Sequence, residues 1–249
     1  GINPRTLHIT QATRQQPQIK NNMRKNKPVL VIGDTHCPAM LDGYIPFLKK
    51  IHKKHGCGRV VHIGDLVDWN SISMHTKDPS MPSPAEEYRK AYKQVKKLHK
   101  AFPKVDYMIG NHSSLPTRQA RLIGLPDDVL VKFEELWGLD GWTIHPRYAD
   151  LIIDDVVYRH GDKGKGGAMA AHKNAICEFK SVVQGHLHAQ AGVVYHANQN
   201  DCIFGMQVGC GVDHTNPAMA YGKVYSNKPI VGCGVVYSSK LAHFEPMFL

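Results

Sequence analysis

Five short segments each end an apolar run in acids, amides or imidazoles: Gly33-Asp34-Thr35-His36, Gly64-Asp65-Leu66-Val67-Asp68, Gly110-Asn111-His112, His160-Gly161 and Gly185-His186-Leu187-His188. Open α/β sheets present ligands to a crevice where their strands end, so the five segments are expected to converge on one site. Asp34 and His36 are two residues apart, and in an extended chain both side chains point the same way. Together they offer one ion an oxygen and a nitrogen, and His186 and His188 repeat the spacing. Carboxylate with imidazole suits manganese, iron, cobalt or zinc better than calcium, which is bound mostly by oxygen. The missing cysteine ligands argue against a structural zinc site. Any one segment is weak, because Gly-Asp and Gly-His pairs are common turn chemistry and a lone histidine among 16 is usually structural. Five in order point to a built site.

That ordered set resembles the calcineurin-like metallophosphoesterase superfamily, whose pattern runs D-x-H, G-D-x-x-D, G-N-H, a lone His and then G-H-x-H; the likeness spans Val29 to His188. The resemblance implies that Asp34, His36, Asp65 and His188 hold a first divalent transition-metal ion, and that Asp65, Asn111, His160 and His186 hold a second, with Asp65 shared. Manganese is the first expectation, with iron, zinc, nickel or cobalt as alternatives, since such ligands accept several ions and availability decides. Two cations about 4 Å apart need a shared anion to offset their repulsion, and the pair can hold a hydroxide for in-line attack on phosphorus. In the family the His of G-N-H faces the substrate and the second Asp of G-D-x-x-D supports it, which assigns those roles to His112 and Asp68. An imidazole held by a carboxylate stays cationic and can protonate a leaving alkoxide. The alternative for Asp68 is to cap the loop after Val67. Some members keep the fold as a protein-binding scaffold after losing ligands or the catalytic His. Here every position is filled, so an active enzyme is expected.

Two departures bear on the substrate. Protein serine/threonine phosphatases of the superfamily continue the second segment with Arg and the third with Glu, whereas here Trp69 follows Asp68 and Ser113 follows His112. With the usual arginine clamp missing, a diester, which carries less charge, is favoured over a monoester. Trp69 either stacks on a base or sugar or packs inward. Lys163 and Lys165, in the loop His160 to Gly167, either meet a substrate phosphate or are simply exposed, and Arg118 and Arg121 form a second candidate clamp or an ordinary helix surface. No G-x-x-x-x-G-K-[ST] occurs, which excludes a P-loop nucleotide-triphosphatase reading. The expected reaction is hydrolysis of phosphodiesters of nucleic acid or nucleotides, with a phosphomonoesterase of small metabolites as the alternative. The stretch Gly64 to Pro79 is also similar to that of bacteriophage-encoded members.

Positioning these residues takes strands that alternate with helices, the rhythm of an α/β protein. Strands are expected at Pro28 to Gly33, Arg59 to Ile63, Val105 to Ile109, Val182 to Gln184, Gly192 to His196, Ile203 to Val208 and Ile230 to Ser238, with a hairpin of Leu151 to Ile153 and Val156 to His160 around Asp154 and Asp155. Helices are expected at Leu41 to His55, at Pro84 to Ala101 with proline first and bases last, in two pieces across Pro116 to Gly138, and near Ala168 to Phe179. Trp69 to Pro84 reads as a long functional loop. By resemblance these elements form a four-layer αββα sandwich of two mixed sheets, occupying residues 28–249 as one domain.

The chain has 249 residues, 42% hydrophobic, enough for one large core. Its formal charge is +10, of which residues 1–27 supply +6 with no acid, which reads as a flexible arm that a polyanion such as nucleic acid could order, or as a solvated tail. Six cysteines lack paired spacing and are expected to be reduced and mostly buried, Cys37 included although it neighbours His36. No run of about 18 apolar residues and no secretory layout are present, so a cytoplasmic protein without membrane contact is expected.

Overall fold

The computed structural model describes residues 26–74, 81–216 and 228–248. Most of the expected arm (residues 1–25) and residues 75–80 of the long loop lie outside these. The first sheet is built on four parallel strands, β1 (Val29–Ile32), β2 (Arg59–His62), β3 (Asp106–Met108) and β4 (Thr143–His145). The second contains β5 (Leu151–Ile153), β6 (Val156–Arg159), β7 (Ser181–Gln184), β8 (Ala191–Ala197) and β9 (Cys202–Val208) in the order β5-β6-β7-β9-β8. There β6, β7 and β9 run parallel while β5 and β8 are antiparallel edges. The chain then returns to the first sheet, where β10 (Gly232–Ser238) pairs antiparallel with β1 and β11 (Leu241–Pro246) with β10.

Alternation along the strands sorts side chains into layers. Val29 and Val31 of β1 join Val156 and Tyr158 of β6 and Phe204 and Met206 of β9 in a core between the sheets. Leu30 and Ile32 point the other way, onto α1 (Tyr44–His55), α2 (Pro84–Ala101) and α4 (Phe133–Trp137), through Leu48, Ile51, Val95, Leu98 and Trp137. Behind the second sheet, Val157, Val182 and Ile203 pack on Ala175 of α5 (Ala170–Glu178). The result is the expected αββα sandwich. Each aliphatic side chain fully buried this way stabilises the fold by about 1.5–3 kcal/mol before conformational entropy is counted.

Helix α2 has the bounds that its sequence signals give: Ser83 and Glu86 form a reciprocal capping box and Pro84 opens the first turn. Helix α1 starts at Tyr44 rather than Leu41, because Gly43 sits at φ 87° and turns the chain into the helix. It buries Tyr44, Leu48 and Ile51, spaced i, i+4, i+7, and ends at Gly56 in the left-handed region. The two pieces expected around Gly124 to Pro126 are α3 (Leu115–Leu122) and α4, with a 3₁₀ turn at Asp127–Val129 between them. The β5–β6 hairpin turns on Asp154 (φ 49°) and Asp155 (φ 63°), both left-handed as a two-residue type I′ turn requires. Two strands were not expected. Edge strand β4 is only three residues long and stops before Pro146, and β11 mixes His and Glu with Leu, Ala and Phe.

Buried Glu87, in the first turn of α2, accepts hydrogen bonds from the backbone N–H of Asn70 (2.8 Å) and Ser71 (2.9 Å), and so ties the helix to the turn that follows Asp68. Burial raises its carboxyl pKa, against the lowering effect of those bonds. Glu87→Ala leaves both donors without that acceptor, and the expected cost is about 1–3 kcal/mol. A urea titration should show a lower midpoint with an unchanged slope.

Candidate metal centre

All five segments leave the carboxyl ends of parallel strands: Asp34 and His36 follow β1, Asp65 and Asp68 follow β2, Asn111 and His112 follow β3, His160 follows β6, and His186 and His188 follow β7. The two sheets face each other, so these ends meet in two groups of expected ligands whose ligand atoms lie within 4.8 Å of one another, Asp34, His36 and His188, and Asp65, His160 and His186; a third such group, His36, Asp68 and His112, shares His36 with the first. Asp34 and Asp65 are 0% and 1% exposed. His188 Nε2 stands 3.1 Å from Asp34 Oδ2, and His160 Nε2 stands 3.2 Å from Asp65 Oδ2 and 2.9 Å from Asn111 Oδ1. His36 Nε2 is 3.8 Å from Asp65 Oδ2, which puts Asp65 beside both groups.

The convergence has a different origin from the extended geometry expected of Asp34 and His36. His36 has φ 44°, Asp65 φ 40° and His186 φ 70°, so three of these side chains are aimed by left-handed bends just past the strands. Such conformations cost non-glycine residues of order 1 kcal/mol or more and persist where the surroundings fix them. Here the backbone amides of Thr35 and His36 both donate to the Asp65 carbonyl (3.1 and 2.9 Å), while Asp34 Oδ2 accepts the His186 amide at 2.9 Å. Asp65 Oδ1 accepts the His112 amide at 2.8 Å and the Ser113 amide at 3.2 Å. The motif glycines allow this closeness: a Cβ on Gly64 would penetrate the His160 ring, and one on Gly110 would penetrate the Asp65 carboxylate.

Several buried polar atoms fit an ion. Asp34 Oδ1 and His36 Nε2 have no hydrogen-bond partner among the described residues. His36 Nδ1 lies 2.8 Å from Asp68 Oδ1, an arrangement that puts the ring proton on Nδ1 and leaves the Nε2 lone pair facing Asp65. Burial holds the His36 pKa below its usual value, outweighing Asp68, so the ring stays neutral as a ligand must be. Burial works against ionisation of Asp34, yet the His160 charge and the His188 hydrogen bond hold its pKa below the usual carboxylate range. Asp65 is lowered further by His160, His112 and His36 against the same penalty. The donor set of carboxylate oxygens, imidazoles and one amide matches divalent transition metals.

Asp68 serves two imidazoles. Its Oδ1 meets His36 Nδ1 and, at 2.9 Å, His112 Nδ1. Although burial opposes it, the Asp68 hydrogen bond with the Asp65 and Asp68 charges pushes the His112 pKa up to about 9. His112, Asn111 and His186 line a cavity of about 430 Å³ together with Arg118, Arg147 and Asp162.

The residues expected around the site divide. Arg118 lines the cavity, and Arg147, which the sequence reading passed over, joins it because it follows β4, the short strand that was missed. The arginine clamp taken to be absent therefore has two candidates, both far in sequence from Asp68. Arg121 is paired with Asp127 through both carboxylate oxygens. Trp69 packs against Tyr88, ring centroids 6.2 Å apart and nearly parallel, and against Trp137, so its ring is engaged by the fold beside the site. Lys163 binds the Tyr148 carbonyl and Asp150, while exposed Lys165 is held through its backbone by Asn174, and neither lines the cavity. Buried Cys37 belongs to the main core and to neither ligand group, its thiol pKa pushed up to about 12 by burial. Two further supports went unread. The Ser113 hydroxyl bridges Val67 N and O at 3.3 and 3.4 Å, and Asn174, Gln184 and Gln207 form a buried amide chain that ends on the Gly185 carbonyl.

A family model for calcineurin-like phosphoesterases matches residues 27–190. The chain belongs to that family. Among solved structures, it is similar to Vacuolar Protein Sorting 29 from Cryptosporidium parvum (12% identity, 85% of this chain and 86% of that one, TM-score 0.42). It is similar also to Pseudomonas putida nuclease MPE (13%, 87% and 86%, 0.36) and to the E. coli phosphoesterase Yfce (13%, 84% and 87%, 0.36). Superpositions this loose say nothing of activity. No curated protein sequence matches.

Because the Gly110 Cα lies against Asp65, Gly110→Ala should push that carboxylate out of place. Mn²⁺ affinity, measured by competition with a chromophoric chelator, is expected to fall at least tenfold while the far-ultraviolet circular dichroism spectrum is kept.

Proposed function

We propose that this chain is a two-metal phosphodiesterase acting on nucleotide or nucleic-acid esters. The observation that carries the reading is the pair of buried Asp/His groups that meet at Asp65, in which Asp34 Oδ1 and His36 Nε2 have no hydrogen-bond partner among the described residues. Asp34, His36, His188 and Asp65 would hold one divalent ion, and Asp65, Asn111, His160 and His186 the other. When bound, the ions supply positive charge for the phosphoryl oxygens and lower the pKa of water toward neutrality.

The protein's own groups do the rest. Asp68 holds His112 by Nδ1, and the His112 imidazole lines the cavity in which the departing ester oxygen is expected. A proton delivered there spares the product an unstabilised alkoxide. Arg118 and Arg147 border the cavity and offer planar donors for the non-bridging phosphoryl oxygens. A diester is supported by the net charge of +10, which favours a polyanionic substrate, and by a second groove that meets the cavity at these arginines, giving room for an organic substituent. Manganese is the ion we expect to support the highest activity.

The test is hydrolysis of bis-p-nitrophenyl phosphate and p-nitrophenyl phosphate with Mn²⁺, Ni²⁺, Mg²⁺ or EDTA. Metal-dependent turnover with a diester preference is expected, and a monoester preference or no turnover with any metal would overturn the reading. Asp65→Asn should abolish both metal retention and turnover. His112→Ala should keep its metal and lose on the order of 10²–10⁴-fold in kcat on an alkyl ester, with a smaller loss on a nitrophenyl ester whose leaving group needs no proton. Equal losses on the two esters would remove His112 from the acid role.

A further inference from the structure

The groove beside the cavity holds about 540 Å³ and is walled by α3, α4 and the loop after β4. Arg118 and Arg147 line both spaces, so whatever is attached to a phosphate between them can enter the groove. Its walls are apolar, with Leu130, Phe133, Leu136 and Trp137 among them, and its remaining arginine, Arg121, is already paired with Asp127. Such a surface rejects a second phosphate and favours a flat apolar ring.

One aromatic side chain at the junction is not absorbed by packing. Tyr148 is 50% exposed and lines the groove, whereas the Trp69 ring stacks on Tyr88 and the Phe133 ring on Tyr107. The Arg147 guanidinium lies 4.5 Å from the Tyr148 ring centroid, and Arg147 is itself anchored by Asp162 at 2.7 Å. The Tyr148 backbone is left-handed (φ 69°), and its carbonyl is held by Lys163, which also meets Asp150 at 3.1 Å. One cation thus lies on the ring and a second holds its backbone, each anchored by an aspartate, while half of the residue stays in water. The cation next to it belongs to a residue that borders the phosphate cavity, which places a π-face beside the expected position of the ester.

We infer that Tyr148 is the stacking platform for a nucleobase carried by the scissile phosphate, with the base in this groove and the phosphate between Arg118 and Arg147. The inference rests on the phosphoesterase reading for the position of the phosphate. Lys163 then acts on the substrate indirectly, as a positioning residue that fastens the Tyr148 loop. Base stacking on an aromatic side chain is sequence-tolerant, so the subsite selects for a base without selecting which one.

Calorimetric titration of the full, Mn²⁺-loaded chain separates this from the reading beneath it, since no turnover is needed. Thymidine 5′-monophosphate and 2-deoxyribose 5-phosphate share sugar and phosphate and differ by the base. The nucleotide is expected to bind on the order of tenfold to a hundredfold more tightly. Tyr148→Ala should erase that ratio and Tyr148→Phe should keep it, and because Tyr148 is half exposed neither change is expected to disturb folding. Equal binding of the two ligands, or a ratio that survives Tyr148→Ala, would overturn the subsite even if diesters are hydrolysed. A base-dependent ratio in a protein that turns nothing over would uphold the subsite and remove the enzyme.

Discussion

Two carboxylates, Asp34 and Asp65, are shut between two sheets with almost no access to water. An ionised carboxylate in such a place is costly unless it is paired and hydrogen-bonded. The arrangement around it can be read as a set of answers to that cost. Backbone amides of His112, Ser113 and His186 donate to these oxygens, and His160 and His188 place ring nitrogens within 3.2 Å of them. The strand ends have to stop where they do for those amides to point inward. The same crowding accounts for glycine at the first position of the second and third segments. Positive charge from a pair of divalent ions is the natural completion of a cluster in which oxygen and nitrogen lone pairs outnumber their protein donors.

Much of this was legible in the sequence. The five segments announce themselves because polar residues at the end of a strand need no long-range information to be noticed, and their order and spacing match a known family. Helix α2 was legible to the residue, since its capping box, its proline and its acid-to-base gradient are all local. The β5–β6 hairpin was legible for the same reason, two aspartates between short apolar runs. What escaped was what only the fold brings together. Arg147 owes its place to a three-residue edge strand with no pattern of its own. Glu87, Ser113 and the Asn174, Gln184 and Gln207 amides look like ordinary surface polar residues until burial makes them supports.

The chemistry near the site was harder to judge than the site itself. Trp69 directly follows the second segment and was open either to stacking on substrate or to packing inward; its ring meets Tyr88 of α2 and Trp137 of α4, and the residue also borders the groove beside the cavity. Lys163 was open either to meeting a substrate phosphate or to simple exposure, and the fold pairs it with Asp150. Arginine is missing after Asp68, and of the two arginines considered in its place Arg118 lines the cavity while Arg121 pairs with Asp127. These alternatives stay open in the sequence for one reason: side-chain direction past the end of a strand is set by tertiary packing. His36, Asp65 and His186 show how far that direction departs from the extended ideal.

The pairing of β1 with β10 sets Val29 opposite Val236 and Ile32 opposite Cys233, partners about 200 positions apart. During synthesis, the strand that leads into Asp34 and His36 therefore waits about 200 residues for its partner on one edge. The interior strand β9 of the second sheet follows in the same way, after every ligand-bearing segment. Non-local closure of this kind is slow, and unpaired apolar strands are prone to associate while they wait. The nascent protein thus displays its carboxylates and imidazoles before it has sheets to bury them in. Closing the candidate metal centre thus depends on strands that follow its ligands in the chain and supply none themselves.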